Sequence, residues 1–347
     1  MSTLPDLSPR PGVGVSAAGE FLIAGSGSIG RRHLANLRAL GVSAFFYRTG
    51  RRDPAAPVPD AAQEFAIETA LARRPRAVLV CNPNARHLEV ALAAARAGAH
   101  LFVEKPLSHS LEGTAELLHE VRRRGLLAVI GFQYRFHPGL LRVKRWLDEG
   151  AIGEAVSARV HWGEYLPAWH PGEEWRASYA ARRDLGGGAV RTLCHPFDYL
   201  RWLFGEPASV WAETSSRGLG LDVEDAAQVG LRFASGVLAN VSLDYLQRPR
   251  AHGLEVVGRR GRIVWADEDG AAYLHSAESE RVTPFLPPSG FSRNSVFLDE
   301  MRHFLACLDG RERPACTLED GVAALEIALG ALEAARLGRR VTLRAAR

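Results

Sequence analysis

Of the 43 basic residues in the chain, only Lys105 and Lys144 are lysines. Arginine does not give up its proton in practice, whereas lysine can titrate. A lysine retained in so arginine-rich a chain is therefore a candidate for proton chemistry. Lys105 stands in Val103-Glu104-Lys105-Pro106, at the end of an apolar run that reads as a strand. Ligands of α/β sheets bind outside the carboxyl ends of strands, and an ammonium there can polarise a substrate oxygen and share its proton. The spacing alone fits a Glu–Lys surface turn before a proline equally well. The second candidate is His195, which follows Gly186-Gly187-Gly188 and lies on a predicted helix that also carries Leu193 and Tyr199. A glycine run lets a helix start close to a bound ligand. A lone histidine on such a helix is more often structural than catalytic. Asp198, three residues on, shares its helical face and could orient the imidazole.

Chemistry at those two residues needs a partner, and one motif suggests which. Gly25-Ser26-Gly27-Ser28-Ile29-Gly30 is G-x-G-x-x-G, set between a short apolar run and a helical repeat. The first glycine makes the tight turn, the second lets the backbone approach a pyrophosphate, and the third lets helix and strand pack closely. The helix N-terminus offers N–H groups to the phosphates. The next strand should end on the residue that reads the ribose. An acid there would suit NAD, but this chain has Arg48, Thr49, Arg51 and Arg52, with the first acid at Asp53. Guanidinium groups suit a 2′-phosphate, so NADP is favoured over NAD. The alternative is that these are solvated loop arginines.

The elements around these residues alternate. Phe21–Ala24, Ala44–Tyr47, Ala77–Val80, His100–Val103 and Leu126–Ile130 read as buried strands. Helical patterns separate them, at 29–40, 85–97 and 111–124. Strand–helix alternation predicts a doubly wound α/β domain over residues 20–130. Beyond it Val156, Ala158, Val160 and Trp162 alternate with polar residues, as do Val237 to Tyr245. Further strands are expected near 208–214, 226–233, 254–266 and 271–275, and helices at about 294–308 and 318–337. Period-two alternation with short connections predicts a largely antiparallel sheet in a second domain over residues 131–347. One face of that sheet lacks cover, which predicts a homo-oligomer.

Composition narrows the classes. The chain has 347 residues, 47% hydrophobic and 24% charged, which is enough for two globular cores. A net charge of +4 with no block of like charges gives little support to a nucleic-acid or membrane-surface role. No apolar run reaches the roughly 18 residues that a membrane span needs. Residues 1–19, rich in Pro, Gly and Ser, read as a disordered leader. Cys81, Cys194, Cys307 and Cys316 are scattered and form no CxxC pair. Neither a disulfide nor a metal site is expected, which fits a cytoplasmic protein.

Five motifs occur in order: the glycine fingerprint, Asn82-Pro83-Asn84 with His87, Glu104-Lys105-Pro106, Tyr134-Arg135-Phe136-His137-Pro138, and Gly-Gly-Gly followed by His195-x-x-Asp198. Together they resemble the glucose–fructose oxidoreductase / inositol dehydrogenase (Gfo/Idh/MocA) family, from about residue 20 to the C-terminus. The resemblance implies an N-terminal Rossmann domain followed by an α+β domain with an open, mostly antiparallel sheet. That sheet often serves oligomerisation, here as a homodimer or homotetramer. It also implies a dinucleotide edge of Cys81, Asn82, Pro83, Asn84, His87, Glu104 and Lys105, with Lys105 and His195 as the acid–base pair. Tyr134 and Arg135 would support them. The family commonly has Asp one turn before the histidine, but Thr192 stands here and cannot carry charge. The relay then rests on Lys105 and His195 alone, or Asp198 substitutes.

The stretch from Glu164 through Trp169 to Trp175, Arg176 and Tyr179 resembles a subgroup linked to sugar and amino-sugar pathways. Its rings can stack on sugar faces, and Arg176, Arg182 or Arg183 could hold a phosphate or carboxylate. The alternative is a core-packing loop. The resulting expectation is hydride transfer between nicotinamide and a sugar-like or cyclitol alcohol or ketone. A glycosidase with tightly held NAD and a non-catalytic dinucleotide-binding scaffold are the alternatives.

Overall fold

The computed structural model describes residues 19–48, 61–279 and 281–343. The leader expected over residues 1–19 lies outside them except for Gly19, as do Thr49, Arg51 and Arg52. The first unit contains β1 (Phe21–Ala24), α1 (Ser28–Ala39), β2 (Ala44–Tyr47), β3 (Gln63–Glu64), α2 (Ile67–Ala72), β4 (Ala77–Val80), α3 (His87–Arg96), β5 (His100–Glu104), α4 (Thr114–Arg124) and β6 (Ala128–Gly131). The six strands form one parallel sheet in the order β3-β2-β1-β4-β5-β6. All four residues of β1, of β4 and of β6 are buried. Such strands must be apolar on both faces, which is why they read as unbroken hydrophobic runs. The order reverses between β1 and β4, and ligands of such sheets bind outside the carboxyl ends of the strands at that point.

The second unit runs through α5 (Pro138–Asp148), β7 (Ala155–Gly163), α6 (Ala189–Thr192), α7 (His195–Phe204), β8 (Pro207–Ser215), β9 (Ala226–Phe233), β10 (Leu238–Asp244), β11 (Ala251–Gly258), β12 (Gly261–Ala266), β13 (Ala272–Ser276), β14 (Val282–Phe285), α8 (Arg293–Leu308), α9 (Leu318–Leu337) and β15 (Val341–Thr342). Its nine-stranded sheet is antiparallel except for the central β7–β10 pair. Ala158, Val160 and Trp162 point into the core while Arg159 and His161 are exposed, as the alternation predicts, but Val156 at the start of the strand is 49% exposed. The outer face keeps Trp211 and Leu238 41% and 57% exposed. Among the described residues no helix is long and apolar enough to cross a membrane.

The two units share their packing. One apolar cluster extends from Leu22 and Val103 through Tyr134 and Trp162 to Trp265. The chain also crosses back, because Met301, Phe304 and Leu305 of α8 pack with Phe21, Ile23, Leu34 and Leu37 of the first unit. Glu300 rides on the same helix, 1% exposed, and neither of its oxygens has a hydrogen-bond partner. Burial, reinforced by the charges of Glu104 and Asp198, pushes its carboxyl well above the usual range and keeps it neutral.

A carboxyl raised by folding stabilises the native state at low pH, and that contribution is lost as pH rises from the unfolded value of about 4.3. Glu300→Gln removes the titration. Urea unfolding should find the variant equal to its parent near pH 4 and increasingly more stable than the parent as the pH is raised to 8. A parallel pH dependence in both proteins would refute a neutral Glu300.

Candidate active site

The glycine turn lies at the switch point between β1 and β4. Gly25 has φ +115°, and a Cβ there would stand 2.7 Å from the Cys81 carbonyl oxygen. A Cβ on Gly30 would stand 2.0 Å from the Gly25 oxygen, whereas one on Gly27 would meet nothing within 4 Å. The first and third glycines are thus required by packing, and the second leaves open space. Gly27 is the N-cap of the 12-residue α1, no side chain caps it, and the first turn carries no acid. Its free N–H groups and positive dipole end fit a pyrophosphate. The neighbouring turns brace one another. The His87 ring nitrogens lie 2.8 Å from the Pro106 and Asn82 carbonyl oxygens, and the Asn84 amide donates to the Gly186 oxygen at 3.0 Å. Arg48, at the end of β2, is buried and donates to Gln63 at 2.7 Å.

Lys105 leaves the carboxyl end of β5 and donates from Nζ to the Thr192 carbonyl oxygen at 2.9 Å. That carbonyl is free because α6 stops at Thr192. The single helix expected through Leu193, His195 and Tyr199 is two, with Leu193 and Cys194 between them and Pro196 in the first turn of α7. Proline has no N–H to continue a helix but suits the start of one. The break puts His195 at the first position of α7, among Phe132, Tyr134 and Trp162 at ring-centroid distances of 5.4, 4.8 and 5.4 Å. Its Nδ1 has no hydrogen-bond partner. Burial, aided by Lys105, His252 and Arg293, pushes its pKa well below 6.5, so the imidazole is neutral. For Lys105 burial works downward, but the fields of Tyr179, Cys194, Glu104 and Glu164 prevail and raise its pKa. An ammonium therefore stands near an unprotonated imidazole, an acid beside a base.

Several sequence expectations change. Asp198 does not orient His195. Arg135 takes both its oxygens, Nη2 to Oδ1 at 2.6 Å and Nε to Oδ2 at 2.9 Å, because a buried guanidinium fork matches a carboxylate edge to edge. Arg135 also donates to the Ala315 oxygen and to Asp320 at 3.2 Å. It is a strut between α7 and α9. Glu104 turns towards α1, where His33 Nε2 lies 2.7 Å from its Oε1. The triple glycine serves protein packing, not ligand approach. A Cβ on Gly187 would meet the Tyr179 and Ala180 oxygens at 2.5 Å, and one on Gly188 would meet Glu224 at 2.2 Å. Arg176 is exposed over the Trp175 ring, Arg182 pairs with Asp184 at 2.5 Å, and Arg183 is 3.8 Å from Asp222. Trp169 packs edge-on against Tyr245 at 5.7 Å.

The side chains that do face the cleft include some the sequence did not single out. Glu164 follows β7 and accepts from Trp162 Nε1 at 3.0 Å. Arg250 Nε and Arg293 Nη2 each lie 3.9 Å from its Oε1. Tyr134 donates to Asp267 at 3.1 Å, and Arg250 bonds the same carboxylate. A cavity of about 440 Å³ opens beside them, lined by Tyr134, His137, Arg250, Asp267, Phe291 and Arg293 among others. Tyr134 and His137 stand in the fourth motif and Glu164 opens the aromatic stretch that the sequence singled out. Arg250 and Arg293 arrive from distant segments and carry no local signal.

Two family models match the chain. The oxidoreductase family with an NAD-binding Rossmann fold matches residues 20–132, and the GFO/IDH/MocA C-terminal domain matches residues 140–264. The chain is similar to the 1,5-anhydro-D-fructose reductase of Ensifer adhaerens, 32% identical over 270 residues that cover 76% of this chain and 78% of the relative. It is also similar to the myo-inositol 2-dehydrogenase of Thermotoga maritima, 30% identical over 281 residues covering 77% and 79%. Among solved structures, GenD2 from gentamicin A biosynthesis, in complex with NAD, aligns at a TM-score of 0.82 and 26% identity, over 98% of this chain and all of that one.

Asp198→Asn breaks the buried pair and leaves Arg135 with Asp320 as its remaining carboxylate. Loss of about 3 kcal/mol of stability in urea unfolding is expected, the scale of stripping one partner from a buried ion pair. A loss below about 1 kcal/mol would remove Asp198 from this structural role.

Proposed function

The chain belongs to the GFO/IDH/MocA family of oxidoreductases, and from that premise we propose that Lys105 and His195 are its acid–base pair. The proposed reaction moves a hydride between a nicotinamide dinucleotide and a sugar-like or cyclitol alcohol or ketone. The names of the relatives, sugar and inositol dehydrogenases and reductases, support that substrate class. The observation that carries the reading is the Lys105 Nζ bond to the Thr192 carbonyl at 2.9 Å. It ties the ammonium to the end of α6, three residues before His195 opens α7, at the same carboxyl edge of the sheet as the glycine turn.

Gly25–Gly30 would hold the pyrophosphate of a nicotinamide dinucleotide, with Asn82–Asn84 along its edge, and the dinucleotide's nicotinamide would supply the hydride acceptor or donor. The chain manages the proton. In oxidation, neutral His195 accepts the hydroxyl proton while the substrate carbon gives up hydride, and the Lys105 ammonium steadies the negative charge on oxygen. Reduction runs the same path backwards. The aromatic wall of Phe132, Tyr134 and Trp162 buries the imidazole and holds it unprotonated, able to accept a proton. Thr192 contributes its backbone oxygen and no charge. Copies associate, in this reading, through the outer sheet face that exposes Trp211 and Leu238. NADP is favoured over NAD because β2 runs into Arg48 with no acid at its end.

Lys105→Met and His195→Ala should each lower turnover by roughly a hundredfold or more across a panel of sugars and cyclitols, with fold and cofactor affinity nearly intact. The two losses should not add if the residues share one proton path. Lys105→Arg should fail almost as badly, since guanidinium keeps its charge and its proton. Near-full turnover in both single variants sinks the assignment. For the cofactor, fluorescence titration should find NADPH bound more tightly than NADH, with Arg48→Asp narrowing or reversing the difference. Equal affinities that ignore the substitution would count against NADP.

A further inference from the structure

The cavity of about 440 Å³ takes no part in the proton chemistry, for neither Lys105 nor His195 lines it. It nevertheless adjoins the base. Tyr134 belongs to both, with its ring 4.8 Å from the His195 ring and its hydroxyl donating to the cavity carboxylate Asp267 at 3.1 Å. The wall holds polar groups that the protein leaves unsatisfied. Gln133 is 6% exposed, and its Oε1 has no hydrogen-bond partner. His137 is 1% exposed, and burial holds its pKa down to about 3, so the ring is neutral. Its Nδ1 accepts from the Gly139 N–H and from Trp265 Nε1, each at 3.2 Å, which puts the ring hydrogen on Nε2. That Nε2–H has no partner, because Asp267 Oδ1 is 3.6 Å away, beyond hydrogen-bond range. The Nε–H of Arg250 is likewise unpaired. Buried polar groups without partners destabilise a fold, and several facing one cavity point to a ligand that completes them.

The charges say which kind of ligand. Arg250 and Arg293 share the lining with Asp267, Glu268 and Asp269. The three carboxylates are engaged, Asp267 by Tyr134 and Arg250, Glu268 by the His252 N–H at 3.0 Å, and Asp269 by the Ala271 N–H at 2.9 Å. A wall with charge of both signs favours neither an anion nor a cation. It suits neutral hydroxyl groups, which accept from the imidazole and guanidinium N–H groups and donate to the amide oxygen. Phe291 adds an aromatic surface for the C–H face of a sugar ring. The volume falls within the range of about 300–1,000 Å³ usual for small-molecule pockets.

We propose that this cavity binds a second, neutral sugar-like ring, so that the substrate is a glycoside. One ring presents its alcohol to His195 and Lys105, and the ring attached to it lies past Tyr134, among Gln133, His137 and Arg293. The inference rests on the reading of Lys105 and His195 as the reacting centre, but its test is equilibrium binding and needs no turnover.

Calorimetric titration of the full-length protein, saturated with nicotinamide cofactor, compares D-glucose with maltose and cellobiose, and myo-inositol with galactinol. At least one two-ring ligand should bind about tenfold or more tightly than its one-ring counterpart, the scale of one or two added hydrogen bonds. Gln133→Met and Arg293→Gln should each weaken that ligand about fivefold or more. Gln133→Met removes an unsatisfied buried amide, so its melting temperature should hold or rise, which separates a ligand contact from a structural one. If Gln133→Met fails to fold, the half-exposed Arg293, which makes no hydrogen bond to a described residue, carries the test. The proposal is overturned if no two-ring ligand binds more tightly than its one-ring counterpart, or if the advantage survives both substitutions. Tighter binding of D-glucose 6-phosphate than of any two-ring ligand also overturns it, by making the cavity an anion site. Failure of the catalytic reading would instead appear as undiminished turnover in Lys105→Met, with the binding result standing.

Discussion

A charged amine taken out of water loses its proton unless acceptors and opposite charge are built around it. For Lys105 the acceptor is the Thr192 carbonyl oxygen at the end of α6, so the ammonium links the end of β5 in the first unit to a helix end in the second. The neutral state of His195 follows from the same arrangement, since a fixed positive charge nearby and an aromatic enclosure both disfavour a second cation.

The seam has its own reinforcements. Arg135, Asp198 and Asp320 lock α7 to α9 in a buried network, and α8 returns from the second unit to cover the first sheet. Asn84 reaches across to Gly186, and the glycines beside it allow backbone contacts closer than any Cβ would permit. These contacts hold the Lys105 and His195 segments in register. A structure so dependent on buried polar partners tolerates little error at the seam, because each orphaned group there costs about 1–3 kcal/mol. Glu300 is an exception. It remains buried with no partner and escapes the larger penalty by staying protonated.

Much of this was legible in one dimension. The glycine fingerprint announces itself through the backbone geometry it requires, and the unbroken apolar runs declare strands buried on both sides. Alternation over β7 and β10 and the scarcity of lysine pointed to the second sheet and to Lys105. Such signals are local. Strand period, turn geometry and residue chemistry depend on neighbours a few positions away, so they survive in the sequence.

What only the tertiary structure decided were the partnerships. Three residues along a helix made Asp198 look like the companion of His195, yet it faces Arg135, brought from 63 positions away. Glu104 pairs with His33 on α1, the triple glycine accommodates Glu224 and the Tyr179–Ala180 backbone, and Glu164 meets Arg250 and Arg293 from distant segments. Which carboxylate serves which cation depends on distance and desolvation in three dimensions, and neither quantity is written in the spacing of residues along a chain.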